Sequence, residues 1–195
     1  MLLKDKVVIV SGIGPGLGQE LAYGAAREGA KIAIAARSSE LLNKLKGEIG
    51  KKSEVIAIPC DITKPEECKN LVDETVKKYG KLDGLINSAY RAGDFKEIEE
   101  SDFSDWQETM NTNFFGTMNL TMAAVKEMTP NQQGAIVMIN SLITKNHYQL
   151  KVAMRHQKVL WQLQLKFLQK SLVRKESELT QSIWVGCGVH QLKCM

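Results

Sequence analysis

The sequence predicts an α/β fold: a doubly wound parallel sheet in one domain, truncated or aberrant after its fifth strand. Three observations predict it. Short apolar runs alternate with amphipathic stretches of helical length from the first residues onward. A glycine-rich turn separates the first run from the first amphipathic stretch. The connections are too short for anything but direct strand–helix–strand crossovers.

Each element follows in order. Lys6–Val10 is a continuous apolar run, as a strand covered on both faces requires. The turn Ser11–Gly18 comes next and opens a helix over Leu17–Glu28. Lys31–Ala36 is a second strand and residues 39–50 a second helix. Glu54–Ile58 is a third strand, closed by Pro59, and Pro65 falls in the first turn of the next helix, where a missing N–H is harmless. Leu82–Ile86 is a fourth strand. A polar loop, Arg91–Glu100, leads into a long helical stretch through Met128, and Ala135–Ile139 is the fifth strand. No internal repeat is present.

After about residue 145 this rhythm stops. Six Gln fall between 157 and 191, no Asp follows Asp105, and two of the three Trp, Trp161 and Trp184, lie here. Met154, Trp161, Leu165, Leu168 and Leu172 have the spacing of one helix face. Residues 1–145 are therefore expected to form the α/β domain, and residues 146–195 an aberrant tail with helical potential.

Bulk properties exclude several classes. The chain has 195 residues, 44% of them hydrophobic, enough for a single core. Net charge is +4, but residues 151–195 carry eight Lys/Arg against two acids. Those basic residues are interleaved with apolar ones, so neither a nucleic acid nor a membrane surface is expected as partner. Cys60, Cys68, Cys187 and Cys194 have neither zinc-site nor redox-pair spacing; no metal is expected, and reduced thiols suit the cytoplasm. The charged start, Lys4-Asp5-Lys6, does not read as a signal peptide, and no apolar run approaches spanning length.

The chemistry is concentrated in the first turn. In Ser11-Gly12-Ile13-Gly14-Pro15-Gly16-Leu17-Gly18, one glycine permits the tight turn, another lets backbone N–H groups approach a pyrophosphate, and a third lets helix and sheet pack closely. The helix N-terminus adds partial positive charge. The spacing is G-x-x-x-G-x-G over Gly12, Gly16 and Gly18, not G-x-G-x-x-G, because Leu17 stands where the last glycine would fall.

Residues 1–145 resemble the short-chain dehydrogenase/reductase family, a Rossmann-type fold. Ser11–Gly18 resembles its cofactor turn, with Ser for Thr. Asp61-Ile62-Thr63 resembles its adenine-contacting motif, and Asn87-Ser88-Ala89-Tyr90 is similar to its N-N-A-G with Asn87 and Ala89 kept. Asn113 and Ser141 fall at its catalytic Asn and Ser. The resemblance implies hydride transfer between a nicotinamide and a small-molecule carbonyl or alcohol. An acid ending the second strand would repel a ribose 2′-phosphate; Ala36 and Arg37 stand there instead, which favours NADP(H) over NAD(H).

The pattern breaks where the family's general acid/base, a Tyr-x-x-x-Lys pair on one helix face, should follow Ser141. Position 154 is Met154, although Lys158 stands four residues on; Tyr148 and Lys151 are one residue too close together. When residues 152–186 are back-translated and the codons read in a shifted frame, permitted codon choices give S-Y-A-T-S-K-G-A-L, which restores the pair at the family spacing. A frame slip between Ser141 and Val152 accounts for the tail on this reading. Three outcomes stay open: an oxidoreductase, severely impaired as written; a non-catalytic NADP(H)-binding or interaction protein; or a poorly stable product with an exposed fifth strand. His147, His156 and His190 are expected to be solvated. Phe103 and Trp106 are expected in the core or at a dimer contact, and a homo-oligomer is expected only if the tail folds.

Overall fold

The computed structural model describes residues 1–94, 96, 98–128, 130, 133–141 and 180–185. Six strands form one parallel sheet in the order β3-β2-β1-β4-β5-β6. They are β1 (Val7–Ser11), β2 (Lys31–Ala36), β3 (Val55–Pro59), β4 (Gly84–Asn87), β5 (Ala135–Ser141) and β6 (Thr180–Val185). The helices are α1 (Leu17–Arg27), α2 (Ser39–Ile49), α3 (Pro65–Tyr79), α4 (Phe103–Met110) and α5 (Thr117–Met128). Among the described residues, no helix is long and apolar enough to cross a membrane.

Strand alternation divides the core in two. Val8 and Val10 of β1 and Ile32 and Ile34 of β2 pack with Ala22 and Ala25 of α1 and Leu42, Leu45 and Ile49 of α2. Ile9, Ala33, Leu85, Ile136 and Met138 point to the other face, under Leu71 and Val72 of α3 and Leu120 and Ala124 of α5. Helices thus cover both faces, which is why the central strands are apolar at successive positions and not only at alternate ones. Asp83 secures the lower end of the sheet: its carboxylate accepts the Val7 N–H at 2.8 Å and lies beside Lys81 (2.9 Å) and Lys6 (3.5 Å).

Two differences from the sequence expectation stand out. The long helical stretch through Met128 is interrupted by a π-helical turn, Asn111–Gly116, between α4 and α5. The sheet also has a sixth strand where no element was expected. Thr180-Gln181-Ser182-Ile183-Trp184-Val185 is uncharged and rich in strand formers, and it pairs with Ile136 to Ser141, so β5 is not the open edge. Phe103 is not a core residue: it is 69% exposed and leans on the Trp106 ring. His147, Tyr148, Met154, Lys158 and His190, and the helix-like face of the tail, lie outside the described residues.

Candidate functional site

The sheet order reverses direction between β1 and β4, and in open parallel sheets the ligand crevice lies outside the C-terminal strand ends at such a switch point. The glycine turn occupies one wall. Gly12 has φ +78°, and a Cβ there would stand 2.1 Å from the Ala89 nitrogen, so the turn lies directly against the loop after β4. The Gly12 and Ile13 N–H groups donate to the Ala35 carbonyl at 2.9 and 3.1 Å, which ties the turn to β2. Ser11 is buried, and its hydroxyl donates to the Ile86 carbonyl at 3.3 Å. Gly18 packs on the strand end: a Cβ there would lie 2.3 Å from the Gly12 oxygen. Leu17 is partly exposed at the start of α1.

The middle of the turn is open. A Cβ on Gly14 or on Gly16 would meet no atom within 4 Å, and Gly16 takes φ +103°. Gly16 is the N-cap of α1 and no side chain caps that end. Helical bonding begins with the Glu20 N–H on the Gly16 carbonyl at 3.2 Å. The turn is thus open at Gly14 and Gly16 beside a helix N-terminus with no side-chain cap, a combination suited to an anion.

The other candidates line the same edge. Arg37 follows β2 and is exposed, and Ser38 is the N-cap of α2 with no side-chain cap bond, leaving its hydroxyl free of that duty. Asp61 follows β3. Its Oδ1 accepts the Thr63 N–H at 3.0 Å and the Thr63 hydroxyl at 2.8 Å. Burial alone would raise the Asp61 carboxyl, but those two bonds, with Arg37 and Lys64 nearby, outweigh it and hold it below the ordinary aspartate value. Ile62 is buried, and its carbonyl accepts from Cys68 Sγ (3.4 Å) and Asn119 Nδ2 (3.2 Å). Asn87 ends β4. Its Nδ2 donates to Thr121 Oγ1 at 3.1 Å, while its buried Oδ1 has no hydrogen-bond partner among the described residues.

Asn113 lies in the π-turn and is buried. Its carboxamide grips the Arg91 backbone twice: Oδ1 accepts the Arg91 N–H at 2.8 Å and Nδ2 donates to the Arg91 carbonyl at 2.9 Å. Its own carbonyl accepts the Thr117 hydroxyl at 3.1 Å. Ser141 is the last residue of β5, two strands from β1, with its backbone in register with Val185. The structure thus brings the cofactor candidates to one sheet edge, with Asn113 behind the loop after β4.

Sequence reasoning missed the groups around Arg91. The guanidinium pairs with Asp105, donates to Thr109 Oγ1 at 2.9 Å and to Glu108 at 2.8 Å. Asp105, Glu108 and Thr109 recur at i, i+3 and i+4 on one face of α4, but that spacing does not identify the loop residue that meets them. Ser38 was missed because it reads as an ordinary helix cap.

A twisted parallel sheet wound on both faces, with an open glycine turn at its switch point, defines a Rossmann-type α/β protein. Residues 6–154 match the short chain dehydrogenase model, and the chain belongs to that family. An 11-beta-hydroxysteroid dehydrogenase-like 3 protein of Arabidopsis thaliana is 37% identical over 142 residues, covering 70% of this chain and 44% of that protein. The chain spans less than half the length of the curated relatives it matches. Among solved structures, a short-chain type dehydrogenase/reductase from Mycobacterium ulcerans superposes with a TM-score of 0.90 at 25% identity, covering 95% of this chain and 69% of that one. An NAD+-bound xylitol dehydrogenase shares the fold at a TM-score of 0.88 and 24% identity, covering 94% and 71%.

Proposed function

We infer that the chain binds a nicotinamide dinucleotide at the β1/β4 crevice, with NADP(H) preferred over NAD(H). The observation that carries this is the open space over Gly14 and Gly16 at an α1 end with no side-chain cap. Ser11–Gly18 would hold the pyrophosphate on backbone N–H groups. Asp61 and Ile62 would hold the adenine end, Asn87 and Ala89 would line the strand end, and Arg37 with Ser38 would receive a 2′-phosphate. When bound, the cofactor supplies hydride chemistry between its nicotinamide and a carbonyl or alcohol carbon.

The protein's part in that reaction is to orient the substrate and move its proton. Ser141 is assigned to the substrate oxygen and Asn113 to the support of the proton path. The proton donor is the missing part: none of Tyr23, Tyr79, Tyr90 or Tyr148 has a Lys four residues on. Loss of a general acid/base costs ~10²–10⁴-fold, so a second reading is specifically favoured: NADPH binding with little turnover. A frame slip after Ser141 explains the loss. The names of the curated relatives make a steroid ketone the first substrate to try.

The test is a titration of the full chain with NADPH and with NADH, followed by NADPH oxidation against a ketone panel. Saturable binding, tighter for NADPH, with turnover at least ~10²-fold below a Tyr-bearing relative, is the expected outcome. Equal affinity for the two cofactors would remove the Arg37 assignment, and rapid turnover would remove the second reading.

A further inference from the structure

The loop after β4 walls the crevice opposite the glycine turn, and one residue joins it to everything behind it. The Arg91 backbone is held at both its N–H and its carbonyl by Asn113. The Arg91 side chain reaches the other way, to Asp105, Glu108 and Thr109 on α4. Asp105 is buried and also accepts the Asp94 N–H at 2.9 Å through Oδ2, so one carboxylate holds the loop at both residue 91 and residue 94. Gly93 completes the seat: with φ +70°, it lies so close that a Cβ would stand 2.9 Å from Thr109 Oγ1 and 3.0 Å from Asp105 Oδ2.

The geometry points to Arg91 as a positioning residue: its side chain latches the wall of the cofactor crevice to α4, while its backbone fixes the Asn113 carboxamide. This rests on the cofactor reading for its functional consequence, but not for the latch itself. Three features separate it from an ordinary surface ion pair. The fork reaches three side chains at once, so little freedom is left to lose per bond. Asp105 is shielded from water, where a charge-assisted bond keeps its strength. The clamped backbone belongs to the same residue as the clamped side chain, so loss of the guanidinium loosens the group that Asn113 grips. Arg91 acts through the loop and Asn113, and no contact with substrate is required of it.

The test compares the full-length chain with Arg91→Met, which keeps the aliphatic stem, and Arg91→Lys, which keeps one charge. Amide hydrogen exchange is followed at residues 88–94 and, as an internal control, in β1 and β2. The NADPH dissociation constant is measured for each chain. Arg91→Met is expected to speed exchange of the 88–94 amides by about tenfold, leave β1 and β2 unchanged, and weaken NADPH several-fold. Arg91→Lys is expected to fall between. Unchanged exchange at 88–94 in Arg91→Met would overturn the latch. So would uniform acceleration through the sheet, which marks a merely structural residue. Equal NADPH affinity in all three chains would overturn its positioning role. If the unaltered chain binds no NADPH, the cofactor reading fails and takes the positioning role with it, while the exchange comparison still decides the latch.

Discussion

Gly12 and Gly14 stand two residues apart in one turn and do different work, and their substitution separates folding from binding. A methyl group on Gly12 would overlap the Ala89 backbone from a left-handed φ. Gly12→Ala is therefore expected to destabilise by about 3 kcal/mol or more, read as a drop in the urea midpoint. Gly14 has neither constraint. Gly14→Ala is expected to change stability by less than about 0.5 kcal/mol while weakening NADPH at least tenfold, because its methyl enters the space assigned to the pyrophosphate. Asp83 sets a residue-scale pH dependence. Burial would raise its carboxyl, but Lys81, the Val7 N–H and Lys6 outweigh that and hold it below 3.8. A depressed carboxylate contributes stability that is full above its unfolded value and lost as pH falls through the folded one. Unfolding free energy is thus expected to decline below about pH 4, and Asp83→Asn to flatten that decline while lowering stability at pH 7. A pH profile unaltered by Asp83→Asn would contradict the assignment. The glycine residues were legible in the sequence because a strand–turn–helix joint constrains neighbours along the chain. Arg91 and Asp105 were not, since their contact depends on how an irregular loop folds back across α4.

Among the elements, the π-turn between α4 and α5 has a visible cause. Gly116 packs so tightly on Ile62 that a Cβ would stand 2.9 Å from Ile62 Cγ1, and the widened turn places buried Asn113 toward the β4 loop. The Thr117 hydroxyl donates to the Asn113 carbonyl at 3.1 Å, four residues back along the chain. Thr117→Val keeps the volume and removes the donor, so a loss of about 1–2 kcal/mol is expected in thermal or urea unfolding. An unchanged midpoint would mean that another donor satisfies that carbonyl. The interruption was invisible in the sequence because the residues from 103 to 128 keep apolar positions compatible with one continuous helix. Strand β6 was missed for a different reason. It has only six residues and sits in a segment whose alternation with helices has lapsed, so local pattern could not distinguish a strand from a tail. A chain ending at Ser141 would bare the β5 edge, and it is expected to aggregate at concentrations where the full chain stays dispersed by light scattering.

For the whole molecule, the parallel, doubly wound character of the sheet and the placement of the glycine turn were legible from residues 1–145, because alternating elements with short crossovers admit few topologies. The catalytic half was legible only as a departure from pattern. Asn113 and Ser141 are assigned to catalysis by resemblance alone, and no Tyr of the chain has a Lys four residues on. Family membership follows from the match over residues 6–154; cofactor choice and catalytic competence rest on the geometry of the crevice. The most direct test of the central claim is the equilibrium titration of the full chain with NADPH, followed by energy transfer from protein tryptophan to the nicotinamide and paired with circular dichroism. The account predicts saturable one-to-one binding to a folded chain, weakened at least tenfold in Gly14→Ala without loss of its dichroism. A folded chain that shows no saturable binding would contradict it.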